Sequence, residues 1–163
     1  MAHVVVLGAG LGGTIMAYEL RDALSKEHQV SVVNNGSQYS FVPSNPWVGV
    51  GWRDRAAVEV DLIPVLKRRN IALHPQGAKR LHPDKKTIEL NDGVSLAYDY
   101  LVIATGPELA FDEIEGLGPD GYTESVCHID HALAAKTAFD ALVAKPGPVI
   151  IGAVQGASCF GPA

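Results

Sequence analysis

Near the start of the chain, Gly8, Ala9, Gly10, Leu11, Gly12 and Gly13 stand between a β-branched stretch and a helical pattern. Val4, Val5, Val6 and Leu7 read as a strand buried on both faces. Residues 14–26 carry apolar Ile15, Ala17, Leu20 and Leu24 at helical spacing, and residues 29–33 supply a second strand. This is G-x-G-x-x-G in a strand–loop–helix–strand context, which predicts a dinucleotide-binding βαβ unit. Gly8 permits the tight turn, Gly10 lets the backbone approach a pyrophosphate, and Gly13 lets helix pack on strand. The helix N-terminus offers free N–H groups and partial positive charge to phosphate oxygens.

The acidic residue expected about 20 residues beyond such a loop is absent, and Asn34 and Asn35 stand there instead. Asn can bond a ribose hydroxyl, and it can equally make the turn before Gly36; both roles can hold together. Residues 37–52 hold two prolines and both tryptophans, the pattern of an ordered loop, and a flat aromatic-lined pocket there would suit an isoalloxazine. Residues 54–70 read as a helix on Val58, Leu62, Val65 and Leu66, kinked or restarted at Pro64, with Lys67, Arg68 and Arg69 at its C-terminal end. Residues 71–97 read as a β-meander punctuated by turn signals. The strand of residues 98–107 then runs into Ala104, Thr105, Gly106 and Pro107, small residues that let a turn lie close to a ligand. Its place after the meander resembles the second fingerprint of two-dinucleotide flavoproteins, which makes the expected dinucleotide FAD.

Residues 130–143 form an amphipathic helix on Leu133, Ala134, Ala138 and Leu142, and Val149, Ile150 and Ile151 begin another buried strand. The loop after it is a degenerate copy of the first, with Val154 at the close-approach position and Ala157 in place of the third glycine. A β-branched side chain there should block a nicotinamide dinucleotide. The expected fold class is α/β: residues 1–145 form a Rossmann-like FAD-binding domain with a central parallel sheet and inserted meander. Residues 146–163 are the first strand and loop of a second dinucleotide-binding-like unit, truncated before its helix.

Composition narrows the function classes. A net charge of −5 with no offsetting basic cluster argues against nucleic-acid binding. No apolar run approaches the roughly 20 residues of a membrane span, and no signal-peptide pattern opens the chain. Two cysteines among 163 residues, Cys127 and Cys159, make neither a disulfide scaffold nor a four-ligand zinc site. His128 and His131 with Cys127 lack a fourth ligand and a convincing spacing, so no metal is expected.

Three segments resemble bacterial sulfide:quinone oxidoreductase. They are the run from Phe41, Val42, Pro43, Ser44, Asn45, Pro46 and Trp47 to Trp52, the segment from Ser125 through Cys127 and His131 to Ala132, and the stretch from Gly152 through Cys159 to Ala163. The resemblance spans the whole chain and roughly the first third of that family's length. It implies a flavoenzyme that oxidises sulfide to sulfur or polysulfide and passes electrons through FAD to quinone. It implies that Cys159 faces the flavin and carries sulfur with a cysteine of the C-terminal half. Cys127 would serve sulfide attack or sulfur release, or tether the flavin, and His131 would handle protons. Asn34, Asn35, Val42, Ala78 and the Thr105–Gly106 turn would touch the flavin. The partner cysteine, the quinone pocket and the helices for peripheral membrane contact belong to the part beyond these residues. The segment alone is then expected to be soluble and inactive in turnover, and homo-oligomerisation stays open. Two other readings compete: a type II NADH dehydrogenase or NAD(P)H-dependent flavin disulfide reductase, and a non-catalytic FAD-binding module.

Overall fold

A computed structural model of the chain describes residues 1–152. Strand β1 (His3–Leu7) forms first, and the chain turns through the glycine loop into helix α1 (Leu11–Ala23) and returns in β2 (Gln29–Val33). The helix starts three residues earlier than its apolar spacing suggests, because Gly12 and Gly13 lie in its first turn. At its other end Arg21 donates to the carbonyls of Leu24, Ser25 and His28, which ties the turn after the helix back onto its last turn.

The central sheet has four parallel strands in the order β5-β2-β1-β9, with β5 Ala72–His74 and β9 Tyr100–Ile103. Its middle is apolar except for buried Ser31, whose hydroxyl meets the His3 ring, with Val5, Val6, Val32 and Val33 at 0% exposure. One face packs on α1 and on α3 (Leu62–Arg68) through Val6, Val32, Ala17, Leu62 and Leu66. The other face packs on an antiparallel meander of β6 (Ala78–His82), β7 (Thr87–Leu90) and β8 (Ser95–Ala97), through Val5, Val33, Ile88 and Leu90. Two core layers thus flank one sheet, as expected for an α/β domain.

Four expectations are corrected. Residues 54–70 are not one helix: a short antiparallel pair, β3 (Gln38–Ser40) with β4 (Glu59–Asp61), claims the middle of that stretch. Helix α3 starts after Asp61, whose Oδ1 accepts from the Ile63 N–H at 3.0 Å, a side-chain N-cap. Pro64 then falls in the first turn, where a missing N–H costs nothing and no kink is needed. The meander has three strands, because residues 72–74 join the parallel sheet beside β2; a three-residue apolar run does not reveal its sheet. The aromatic loop winds into a 3₁₀ turn (Val42–Ser44) and helix α2 (Asn45–Gly49). Val149, Ile150 and Ile151 pair with no strand among the described residues and stand 59%, 96% and 77% exposed, since no neighbouring strand there meets their backbone.

Helix α4 (Ile129–Ala144) matches its expected span, but the face it buries is set by Ile129 and Ala132, while Ala134 is exposed. These residues form a third cluster with Val48 of α2 and Val58. Gly49 allows close approach: a Cβ there would lie 3.1 Å from Val126 Cγ1 and 3.9 Å from Ala135 Cβ. Arg55 ties the region together, donating to Glu59 and to Asp130 at 2.9 Å each.

Two measurements test this packing. A Cβ at Gly13 would stand 2.0 Å from the Gly8 carbonyl oxygen, whereas one at Gly12 meets nothing within 4 Å. Gly13→Ala should therefore cost about 3 kcal/mol or more in urea denaturation. Gly12→Ala should be neutral or stabilise by about 0.5 kcal/mol. The Arg55 guanidinium holds the Glu59 carboxyl below the ordinary Glu range, the Ser40 hydroxyl assisting against partial burial. A lowered folded-state pKa gives stability that is present above the unfolded Glu pKa and lost as pH falls through the folded one. Comparing urea midpoints, Glu59→Gln should be less stable than the parent at neutral pH, with the gap closing on the acid side.

Candidate functional site

The C-terminal ends of the parallel strands bring several predicted residues to one edge of the sheet, the usual binding edge of such folds. Gly8 follows β1 with φ +101°, a left-handed conformation that favours glycine, and its N–H donates to the Val33 carbonyl at 2.8 Å. A Cβ on it would lie 2.4 Å from the Ala104 carbonyl oxygen and 3.0 Å from the Thr105 Cα. The first glycine loop and the turn after β9 are therefore in contact, two fingerprints some hundred residues apart joined by the Leu7–Ile103 register. Gly13 packs under Gly8 as its place in the motif requires.

Gly10 behaves differently. Its φ of −68° and ψ of −170° are open to any residue, and a Cβ would meet nothing within 4 Å. Neither conformation nor packing within the chain demands a glycine there. Leu11, Gly12 and Gly13 open α1 with no acidic side chain in its first turn and no side-chain cap, so their N–H groups and the helix dipole face the free space. Gly10, Leu11 and Gly12 are exposed and Ala9 is buried. Thr105, Gly106 and Pro107 are exposed as well, and a Cβ on Gly106 would also meet nothing.

Asn34 has a structural task. Its Oδ1 accepts from the Ala9 N–H at 3.0 Å and its Nδ2 donates to the Gly36 carbonyl at 3.1 Å, so it braces the glycine loop and makes the following turn. Exposed Asn35 bridges to Gln76, which brings the start of β6, and with it Ala78, to the same edge. Val42 is 49% exposed at the start of the 3₁₀ turn. The expected aromatic pocket is not formed among the described residues. The winding of 42–49 turns Val48 and Asn45 inward and leaves Trp47 partly exposed under the Arg53 guanidinium, 4.9 Å from its ring centroid, with Trp52 at 77% exposure.

Cys127 and His131 lie apart from the glycine loop, at the start of α4 where it meets α2. Cys127 is a half-buried free thiol whose N–H donates to the Ser125 hydroxyl at 3.2 Å. The His131 ring is half-buried, edge-on to His128 at 5.2 Å and tilted against Phe111 at 5.8 Å. Cys159 and the Val154 loop fall outside the described residues. Among the described residues no three His, Cys, Asp or Glu are grouped to hold a metal, and no helix is long and apolar enough to cross a membrane. A further groove, lined by His3, Arg21, Ser31 and His74, contains none of the predicted residues. Sequence reading missed Asn45, fully buried at the first position of α2; a polar residue between prolines was its only signal.

The model of the family described as pyridine nucleotide-disulphide oxidoreductase matches residues 2–156. The chain belongs to that family. The pyridine nucleotide-disulphide oxidoreductase domain is an FAD-binding one, and the glycine loop, free helix end and Gly106 turn fit the group. The sulfide-quinone reductase of Aquifex aeolicus is 40% identical over 99% of this chain and 36% of its own length. A crystal structure of the sulfide:quinone oxidoreductase from that bacterium superposes with a TM-score of 0.91 at 38% identity, covering 98% of this chain and 36% of the other. The mitochondrial sulfide:quinone oxidoreductase of Mus musculus is 29% identical over 74% of this chain and 26% of its own length. An external alternative NAD(P)H-ubiquinone oxidoreductase B1 of Solanum tuberosum is 29% identical over 66% of this chain and 20% of its own. The chain thus spans about a third or less of the length of these relatives.

The brace at Asn34 can be tested without any ligand. Asn34→Leu removes both hydrogen bonds of the carboxamide and leaves the buried Ala9 backbone N–H unmatched, so it should cost about 2 kcal/mol in urea denaturation. Asn34→Asp keeps the acceptor and should cost less.

Proposed function

We propose that this chain is the N-terminal, FAD-binding part of a sulfide:quinone oxidoreductase, in which sulfide is oxidised to sulfur or polysulfide and two electrons pass through FAD to a quinone. The single observation that carries the ligand assignment is Gly10, a glycine with ordinary dihedrals and open space where its Cβ would stand. A pyrophosphate at that point explains both the missing side chain and the uncapped helix start. The 40% identity to the Aquifex sulfide-quinone reductase, continuous over 99% of this chain, supports the substrate class.

In this reading the residues take distinct roles. N–H groups of Gly10 to Gly13 hold the pyrophosphate, Asn34 keeps that loop in place through the Ala9 N–H, and Asn35, Val42, Ala78, Thr105, Gly106 and Pro107 border the rest of the cofactor. Bound FAD supplies a two-electron acceptor. Cys159 and Cys127 supply thiolates, the nucleophilic form in sulfur transfer, and His131, four residues after Cys127, holds or releases a proton. Residues 1–145 are the flavin unit, and residues 146–163 begin the next one. Peripheral membrane contact belongs to the longer protein.

Anaerobic titration of that longer protein tests the reading. Sulfide should bleach the flavin absorbance and a quinone should restore it. Bleaching by NADH with no response to sulfide would instead place the chain with the NAD(P)H-dependent members. Gly10→Val should weaken flavin uptake about a hundred-fold or more while leaving the urea midpoint near that of the parent. Unchanged flavin binding would remove the basis of the assignment.

A further inference from the structure

The groove at the other edge of the central sheet carries the opposite charge to the chain as a whole. It opens where β1, β2 and β5 begin and has a volume of about 460 Å³. His3, Arg21, Lys26, His28, Ser31 and His74 line it, and no Asp or Glu does. In a chain of net charge −5 that is a local inversion of sign.

Sheet register brings three of these residues to one face. His3 is the partner of Gln29 and His74 that of Val33, and side chains alternate along a strand, so His3, Ser31 and His74 all point to the meander side. The His3 Nε2 lies 2.8 Å from the hydroxyl of Ser31, a residue only 4% exposed. Burial and the neighbouring His3 imidazole hold the His74 ring below the ordinary His range, with Asp92 acting the other way. Imidazoles that resist charging together charge readily once an anion lies beside them.

The other cations differ in what they have free. Arg21 spends donors on three backbone carbonyls and contributes mainly its charge. His28 is engaged on both sides, its Nδ1 accepting from the Ala2 N–H at 3.1 Å and its Nε2 standing 3.6 Å from the Glu27 carboxylate. Asp99 is held by the backbone, its Oδ2 accepting from the His3 N–H at 2.7 Å. Lys26 is exposed and enters no ion pair among the described residues.

We propose that this groove binds a dianionic tetrahedral oxyanion, of the phosphate or sulfate class, through Lys26, Ser31, His3 and His74. A protonated His3 donates its Nε2–H to the Ser31 oxygen, which releases the Ser31 O–H as a donor to the anion. A tetrahedral ion presents acceptors in several directions, which suits donors arriving from β1, β2, β5 and the turn after α1. The groove is larger than such an ion, so part of the ion's water enters with it. The whole length of β1 separates this site from the glycine loop, so it needs no flavin and excludes none.

The test uses the 163-residue chain and the imidazole proton signals of His3 and His74, identified by through-bond correlation to the assigned backbone. Reading these two rings sets the groove apart from the glycine loop, which can seat the same anions. At about pH 6 and constant ionic strength, sodium sulfate should move both signals along a saturable curve, half complete at a concentration on the order of 1 mM, and chloride should not. Binding should tighten about ten-fold or more from about pH 8 to about pH 6, as the imidazoles take up protons. Lys26→Gln should weaken it about five-fold while the urea midpoint in chloride stays that of the parent. Methyl phosphate separates the possible sources. Weaker binding than inorganic phosphate assigns the free ion, and equal or tighter binding assigns the end group of an ester; either result supports the site. A linear response to sulfate overturns the proposal. So does an equal response to chloride at the same ionic strength, or a Lys26→Gln chain that binds as the parent does.

Discussion

The site depends on one close approach of backbone to backbone. At Gly8 the end of β1 passes so near the end of β9 that any side chain would drive into the Ala104 carbonyl, and Gly13 seats α1 against the same point. Two hydrogen bonds secure it from below, Gly8 N–H to Val33 and Ala104 N–H to Leu7, both 2.8 Å. Three strand ends, a helix start and two loops are therefore held in one place mainly by backbone, with the Asn34 carboxamide bracing the glycine loop. No buried polar side chain larger than Asn34 is needed, which leaves the helix N–H groups free for a ligand.

The first βαβ unit was legible in the sequence because its signals are redundant. Glycine spacing, a run of valines and helical periodicity all point the same way, and β2 came out residue for residue. Asn34 and Asn35 were legible as a pair with two roles, of which the structural one is visible for Asn34. Short elements were not. A three-residue strand such as β5 carries no periodicity that names its sheet, and its place beside β2 is decided by α3 returning the chain over the core. The stretch before α3 misled for a related reason. Val58 has the spacing of the α3 face but is buried against α4 instead, a long-range contact that local pattern cannot contain.

Aromatic content proved a weaker guide than glycine. Trp47 and Trp52 suggested a ring-lined pocket, yet the backbone around Trp47 winds into a helix that buries Val48 and Asn45, and Trp52 follows it exposed. Proline explains the winding: Pro43 and Pro46 lie at the opening positions of the two short turns, where their fixed φ favours helix and their missing N–H is not needed. The same prolines that read as loop markers are helix starters at those positions.

The apolar contacts around α2 and α4 form a small cluster of four buried residues, separate from the two layers that clasp the sheet. Few buried contacts and exposed ion pairs are the marks of a unit that opens on its own, at a lower free energy than the whole. Amide exchange in α4 should then run ahead of exchange in β1 and β2. The half-buried thiol at the base of that helix would gain further exposure in these excursions while the glycine loop stays formed, so access to it is set by local breathing rather than by global unfolding.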